Sequence, residues 1–209
     1  MNKPLFITLE GCEGVGKTSN MEFIKTLLGN KKINFIETRE PGGTPLGEAL
    51  REMLLGESFN NMSVDTELMM MFAARAEHVA KVIKPALKNG QWVLCDRFTD
   101  ATYAYQGGGR QLDSTRIQGL ENWVLGDLRP HLTLLLDAPV SVGRERAGKR
   151  SDPDRFEKEK DNFFNRVRET YLMRAKSEPK RMKIIDASGD LVSVQKQIQD
   201  VLNSFKPNN

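Results

Sequence analysis

The chain alternates between short apolar runs and longer stretches in which apolar residues recur every three or four positions. The runs at residues 5–9, 33–36, 93–95, 132–136 and 182–185 are too short for helices and read as buried strands. Residues 66–88 predict a helix, with Asp65 and Glu67 favouring its start and Asn89-Gly90 supplying a left-handed stop. Near the end, Leu191, Val194, Ile198, Val201, Leu202 and Phe205 repeat at helical spacing behind Asp190, a predicted N-cap. This alternation predicts an α/β fold, a mainly parallel sheet covered by helices on both faces. Residues 144–160 differ in texture: they are dense in charges of both signs, are interrupted by Pro153, and predict a mobile or solvated excursion.

Composition narrows the class. A length of 209 residues suits one domain, 1–209, and 39% hydrophobic with 28% charged residues excludes a disordered or fibrous chain. A formal charge of +3 lacks the basic excess of a dedicated nucleic-acid binder, so no nucleic-acid partner is expected and any anionic ligand must be met locally. Cys12 and Cys95 form neither a disulfide framework nor a zinc spacing, which fits a reducing, cytoplasmic setting. The first apolar run meets Glu10, too short for a signal peptide, and no run approaches a membrane span, so a soluble protein without a membrane partner is expected.

The most informative stretch is Gly11-Cys12-Glu13-Gly14-Val15-Gly16-Lys17-Thr18, which satisfies G-x-x-x-x-G-K-[ST] between a predicted strand and a predicted helix. Its glycines allow a backbone that points successive N–H groups at phosphate oxygens, and the helix N-terminus behind them adds positive potential. Lys17 can reach β- and γ-phosphates, and the Thr18 hydroxyl can ligate a bridging Mg2+. A nucleoside triphosphate is the expected ligand.

The second strand ends in Thr38-Arg39-Glu40-Pro41-Gly42-Gly43, and the third in Asp96-Arg97-Phe98. Both place charges at the strand C-termini, where open α/β sheets bind ligands. There an arginine can grip phosphate and Asp96 can hold magnesium through water. Tyr103 to Gly109 adds aromatic rings and the Gln106 amide beside a flexible turn, a set suited to recognising a base.

In this order after the phosphate loop, T-R-E-P-G-G-T at 38–44, F-A-A-R at 72–75, D-R-F at 96–98 and A-Y-Q-G-G-G at 104–109 resemble the bacterial thymidylate kinases. The resemblance extends to Pro130 to Asp137 and to Ile185-Asp186-Ala187, which it places near adenine. It implies a P-loop three-layer fold with a five-stranded parallel sheet, transfer of the γ-phosphoryl group of ATP to dTMP in dTTP biosynthesis, and a homodimer. By the same resemblance, Glu13 approaches the acceptor sugar. Arg39, Arg51 and Arg97 surround the acceptor phosphate near Pro41, Arg75 and Gln106 read the thymine edge, and Tyr105 disfavours ribonucleotides. The residues at 144–157 become a lid. Arg146 joins the ATP site, and Arg150 and Arg155 are the candidates to close over ATP; Arg150 is the expected catalytic arginine alongside Lys17, Arg97 and Glu13. An acidic and a small residue in the phosphate loop, as in Glu13-Gly14-Val15, mark the family type whose catalytic arginine lies in the lid.

Two departures leave choices open. The position where relatives carry an aromatic ring on the base is Met71 here, with Phe72 one step later, and either can touch thymine. The serine frequent in relatives five residues after the Asp of D-R-F is Ala101, and Thr102 can supply the hydroxyl. Whether Cys12 is a reactive thiol is also open. Two other readings compete: a P-loop kinase with a different acceptor, and a GTPase-like switch, against which stands the lack of an N-K-x-D run.

Overall fold

The structure, a computed structural model, describes residues 3–59, 61–148 and 154–205. Five strands, β1 Phe6–Glu10, β2 Phe35–Arg39, β3 Trp92–Asp96, β4 Leu132–Asp137 and β5 Met182–Asp186, form one sheet in the order β2-β3-β1-β4-β5. All four neighbouring pairs are parallel. Every strand runs past its predicted apolar stretch and ends on a charged residue: Glu10, Arg39, Asp96, Asp137 or Asp186. Hydropathy stops one residue or more before the hydrogen-bonded ladder does, because the last ladder position is charged: Glu10 is buried and accepts from the Phe98 N–H, whereas Arg39 and Asp186 are exposed at the C-terminal edge.

Side chains on the inner strands alternate between two apolar layers, as the pleat requires. Ile7, Leu9 and Leu94 join a core built with α1 (Lys17–Asn30), α8 (Asp161–Ser177) and α9 (Leu191–Ser204). Phe6, Val93 and Cys95 face the opposite layer, where the Phe6 and Phe98 rings meet edge to face at 4.8 Å. Helices therefore cover both faces, as predicted. No helix among the described residues is long and apolar enough to cross a membrane.

The remaining helices are α2 (Pro45–Leu55), α3 (Val64–His78), α4 (Lys84–Lys88), α5 (Thr99–Thr102), α6 (Ser114–Leu125) and α7 (Val140–Ala147), with a single turn of 3-10 helix at Glu57–Phe59. The helix predicted at 66–88 starts earlier, where the Ser63 hydroxyl accepts from the Thr66 N–H at 3.2 Å, and it widens into a π turn at Val79–Ile83 before α4. Gly90 takes the expected left-handed conformation, φ 75°, and Asp190 caps α9 as expected. A second π turn, Tyr103–Gly109, carries the A-Y-Q-G-G-G motif against α8. The approach is close: a Cβ on Gly108 would sit 2.8 Å from the Arg166 carbonyl oxygen.

Part of the charged stretch departs from the solvated excursion predicted for it. Arg155 and Phe156 are buried, because the Arg155 guanidinium donates to the Leu54 carbonyl at 2.9 Å and to Glu67 at 2.6 Å.

A buried charge cluster locks α5, α8 and β5 together. Asp100 accepts from Arg174 at 2.6 Å and from Arg181 at 2.7 Å, and Arg181 also donates to Thr133 of β4. Burial pushes the Asp100 carboxyl up, but the hydrogen bonds and charges of Arg181 and Arg174 outweigh it and hold the group below the ordinary aspartate value. Removing the carboxylate leaves two guanidinium groups without their buried partner, so Asp100→Ala should lower unfolding stability by about 3–5 kcal/mol at neutral pH. Because the folded value is depressed, this contribution is present above the unfolded aspartate value and lost as pH falls through the folded one. Urea unfolding of wild type and D100A should therefore show a gap at pH 7 that narrows in acid.

Candidate active site

β1 hands the chain to α1 through the phosphate loop. Gly16, at φ 87°, forms the left-handed entry to α1 with no side-chain cap, which leaves the first N–H groups of the helix facing outward. A Cβ on Gly14 would run into the backbone of Gly143 in α7, so only glycine allows the loop to pack on that helix. The Lys17 ammonium folds back over the loop and donates to the carbonyls of Cys12 at 2.7 Å and Gly11 at 3.2 Å, with Glu13 at 3.8 Å. Its pKa is lowered, first by burial and then by the neighbouring Arg97 charge. Cys12 is buried, and burial pushes its thiol up to about 11, which disfavours the thiolate.

One cleft opens above the strand ends and joins five segments distant in sequence, the last of them Asp154, Phe156 and Glu157 of the charged stretch. The phosphate loop contributes Glu13, Gly14, Gly16, Lys17 and Thr18, and the C-terminal ends of β2 and β3 contribute Glu40, Pro41, Asp96 and Arg97. From the helices come Arg51, Met71, Arg75, Ala101 and Thr102, and from the second π turn Tyr105 and Gln106.

Arg97 stands at the centre. Its backbone is left-handed, φ 66°, a conformation that costs energy for a branched or bulky side chain and that turns it off the strand line into the cleft. The guanidinium donates to the Gly11 carbonyl at 2.7 Å, to the Tyr105 hydroxyl at 3.2 Å and to the Glu13 carboxylate. The Tyr105 hydroxyl donates to Glu13 at 3.1 Å. Burial works to raise the Glu13 pKa, yet Arg97 and Lys17 overcome it and hold the carboxyl well below its ordinary range. Glu13 is thus an ionised acceptor, unsuited to proton abstraction. Arg51 donates to the Pro41 carbonyl at 2.9 Å and keeps its remaining donors at the cleft wall.

The inner end is built for a planar group. Arg75 is held by Glu40 at 2.7 Å and by the Phe98 carbonyl at 3.2 Å, and its guanidinium carbon lies 4.7 Å from the Phe72 ring and 5.4 Å from the Phe98 ring. His78 completes the support, hydrogen-bonded to Glu40 at 2.9 Å and to the Thr38 hydroxyl at 2.6 Å. Arg75 Nη1 is buried with no partner among the described residues, which leaves one donor for a ligand. Of Met71 and Phe72, Met71 lines the cleft, whereas Phe72 is buried against the Arg75 guanidinium. Ala101 and Thr102 both reach the wall.

Asp96 Oδ1 is also buried without a partner among the described residues, and Asp96 lines the same cleft as Thr18. An unpaired carboxylate oxygen next to a hydroxyl is the donor set a hydrated, hard divalent cation takes, so these residues fit magnesium. A second hollow, lined by Cys12, Val15, Ala138, Val140, Arg144 and Phe164, lies on the other side of the loop.

Arg39, Arg146 and Arg155, like Phe72, are not brought to the cleft. Arg39 is half exposed, pairs with Glu48 at 2.8 Å and does not line the wall. Arg146 donates to the carbonyls of Ala187, Ser188 and Gly189 and lines neither hollow, so its visible work is to pin α7 to the segment after β5. Arg155, expected to close over ATP, is instead sequestered against Glu67 and Leu54. Arg150 lies outside the described residues. Conversely, the sequence reading passed over Glu67 as an ordinary helix-start acid. The signal was available: Glu67, Met71 and Arg75 recur every four residues and so share one face of α3.

Comparison with known proteins agrees with this geometry. The thymidylate kinase sequence profile matches residues 9–198. A thymidylate kinase of Pseudomonas syringae pv. tomato is 56% identical over 198 residues, 95% of this chain and 94% of its own. One from Vesicomyosocius okutanii is 52% identical, covering 98% of this chain and 100% of its own. The crystal structure of thymidylate kinase from Ehrlichia chaffeensis superposes with a TM-score of 0.78 at 33% identity, over 97% of this chain and 99% of that one. A profile matching nearly the whole chain, together with relatives this similar along their full length, places the chain in the thymidylate kinase family.

Proposed function

We propose that the cleft holds dTMP against Mg-ATP and that the residues lining it carry out transfer of the γ-phosphoryl group to give dTDP and ADP. The observation that carries the proposal is the joining, in one cleft, of a phosphate loop, two arginines at its middle and a buried, unpartnered arginine donor at its far end. A kinase acting on a phosphorylated nucleoside needs all three; a GTPase-like switch has no use for the last two.

In this reading the loop N–H groups and Lys17 bind the donor phosphates. Arg97 and Arg51 bind the acceptor phosphate, and Arg75, Gln106 and Met71 receive the base. Glu13 and Tyr105 fix the Arg97 guanidinium and crowd the sugar. Thr18 directly, and Asp96 through water, would hold magnesium, which when bound neutralises charge on the β- and γ-phosphates. A phosphate oxygen of dTMP is already anionic at neutral pH, so the chain supplies orientation and positive charge rather than a general base. The stretch 144–157 is proposed as the lid, with Arg150 as its catalytic arginine.

We further infer a cytoplasmic homodimer. Support for the second subunit is the exposed apolar surface of α2, the 3-10 turn after it and α3, where Leu46, Met53, Phe59 and Met69 are 45–57% exposed. Sedimentation equilibrium should give twice the chain mass, and Met53→Glu should shift the distribution to monomer; a monomeric wild type contradicts the inference.

The function is tested by ADP release with magnesium and a panel of acceptors. Strong preference for dTMP over dGMP, dAMP and thymidine, abolished by EDTA, is expected; release indifferent to acceptor contradicts the kinase reading. Within the same assay, Arg97→Ala should lower kcat by about 10²–10³-fold, the usual cost of removing a donor aimed at developing charge. An unchanged kcat would remove Arg97 from the chemistry.

A further inference from the structure

Glu67 is buried, 1% exposed, on α3, and it does not line the cleft. One carboxylate oxygen accepts from Gln106 Nε2 at 2.8 Å. The other accepts from Arg155 Nη2 at 2.6 Å. A carboxylate paired with a guanidinium only accepts, so the Gln106 amide can meet it only through its NH2 group. An unrestrained glutamine amide presents either a donor or an acceptor by turning over about its last torsion. Here the turn is forbidden, because it would set the Gln106 carbonyl oxygen against the Glu67 carboxylate in a buried place. The Gln106 Oε1 has no hydrogen-bond partner among the described residues, and Gln106 lines the cleft.

Arg75 stands on the same wall and has donors only, of which Nη1 is buried and unpartnered. The inner end therefore offers one fixed donor and one fixed acceptor. A pyrimidine with a carbonyl at C4 and a proton on N3 complements that pair. Cytosine carries an amine at C4 and a bare N3, so it meets donor with donor and acceptor with acceptor.

Resting on the dTMP reading above, we propose that Glu67 is a specificity-determining positioning residue: by holding the Gln106 amide in one orientation it makes the cleft reject cytosine nucleotides. Arg155 keeps Glu67 in place for this task, which gives a buried arginine of the charged stretch a role in base choice rather than over ATP.

The test compares kcat/KM for dTMP, dUMP and dCMP in wild type, Glu67→Gln, Gln106→Met and the double variant. The dUMP:dCMP ratio isolates the polar edge, because neither base has the methyl group, and the dTMP:dUMP ratio reports the methyl contact. A glutamine at 67 can donate as well as accept and so releases the amide. The proposal expects E67Q to lower the dUMP:dCMP ratio about tenfold or more while leaving dTMP:dUMP within about twofold. It also expects E67Q to change the ratio no further in the Q106M background. A merely structural role would depress all three substrates alike and leave both ratios as in wild type, and that result overturns the proposal. Should E67Q lack a cooperative thermal melt, the dUMP:dCMP ratio is read from E67D, whose carboxylate stops one methylene short of the amide; an unchanged ratio there overturns it equally. Failure of wild type to use dTMP at all is a separate outcome, which removes the dTMP reading itself and the proposal with it.

Discussion

A guanidinium enters a protein interior only when a carboxylate meets it, and this chain places four such pairings around the C-terminal edge of one parallel sheet. Glu13 holds Arg97, Glu40 holds Arg75, Glu67 holds Arg155, and Asp100 holds Arg174 and Arg181. The first two do more than neutralise charge. Each aims a planar fork of donors into the cleft and occupies part of it, so the unoccupied part is fixed in space before a ligand arrives. The last two hold together the helices on which the first two depend. Preorganised cations at low local dielectric stabilise phosphoryl charge more than mobile ones, because they need no reorganisation as the charge moves.

The backbone prepares the same edge. Strand ladders continue beyond the apolar core to Glu10, Arg39, Asp96 and Asp137, and the order β2-β3-β1-β4-β5 sets the phosphate loop on the central strand. In the proposed function donor phosphates meet the N-terminus of α1 and acceptor groups meet the ends of β2 and β3, while the second π turn brings Tyr105 and Gln106 to the cleft from a third direction. The left-handed backbone of Arg97 marks where this convergence demands a costly local conformation.

Much of this was legible in the chain. Apolar runs located all five strands because each sets apolar side chains against the core, and the phosphate loop and the D-R-F motif revealed themselves by spelling and position. What escaped was decided by long-range partners. Whether Met71 or Phe72 faces the cleft depends on the helix phase, and that phase is set by Arg75 reaching Glu40, 35 positions away. Arg155 reads from the sequence as a lid residue, since nothing local announces a bond to Glu67, 88 residues distant. Arg39 sits in a motif that pointed to phosphate, yet its side chain turns to Glu48 on the neighbouring helix.

The account claims that buried carboxylates hold arginine donors ready for the acceptor nucleotide. A crystal structure of the protein with dTMP, magnesium and a non-hydrolysable ATP analogue tests this most directly. The account predicts the base against Met71, with its C4 carbonyl on Arg75 Nη1 and its N3–H on Gln106 Oε1, the acceptor phosphate on Arg97, and the pairs Glu40–Arg75 and Glu13–Arg97 preserved. A base bound elsewhere, or an Arg75 that leaves Glu40 to reach it, would contradict the account.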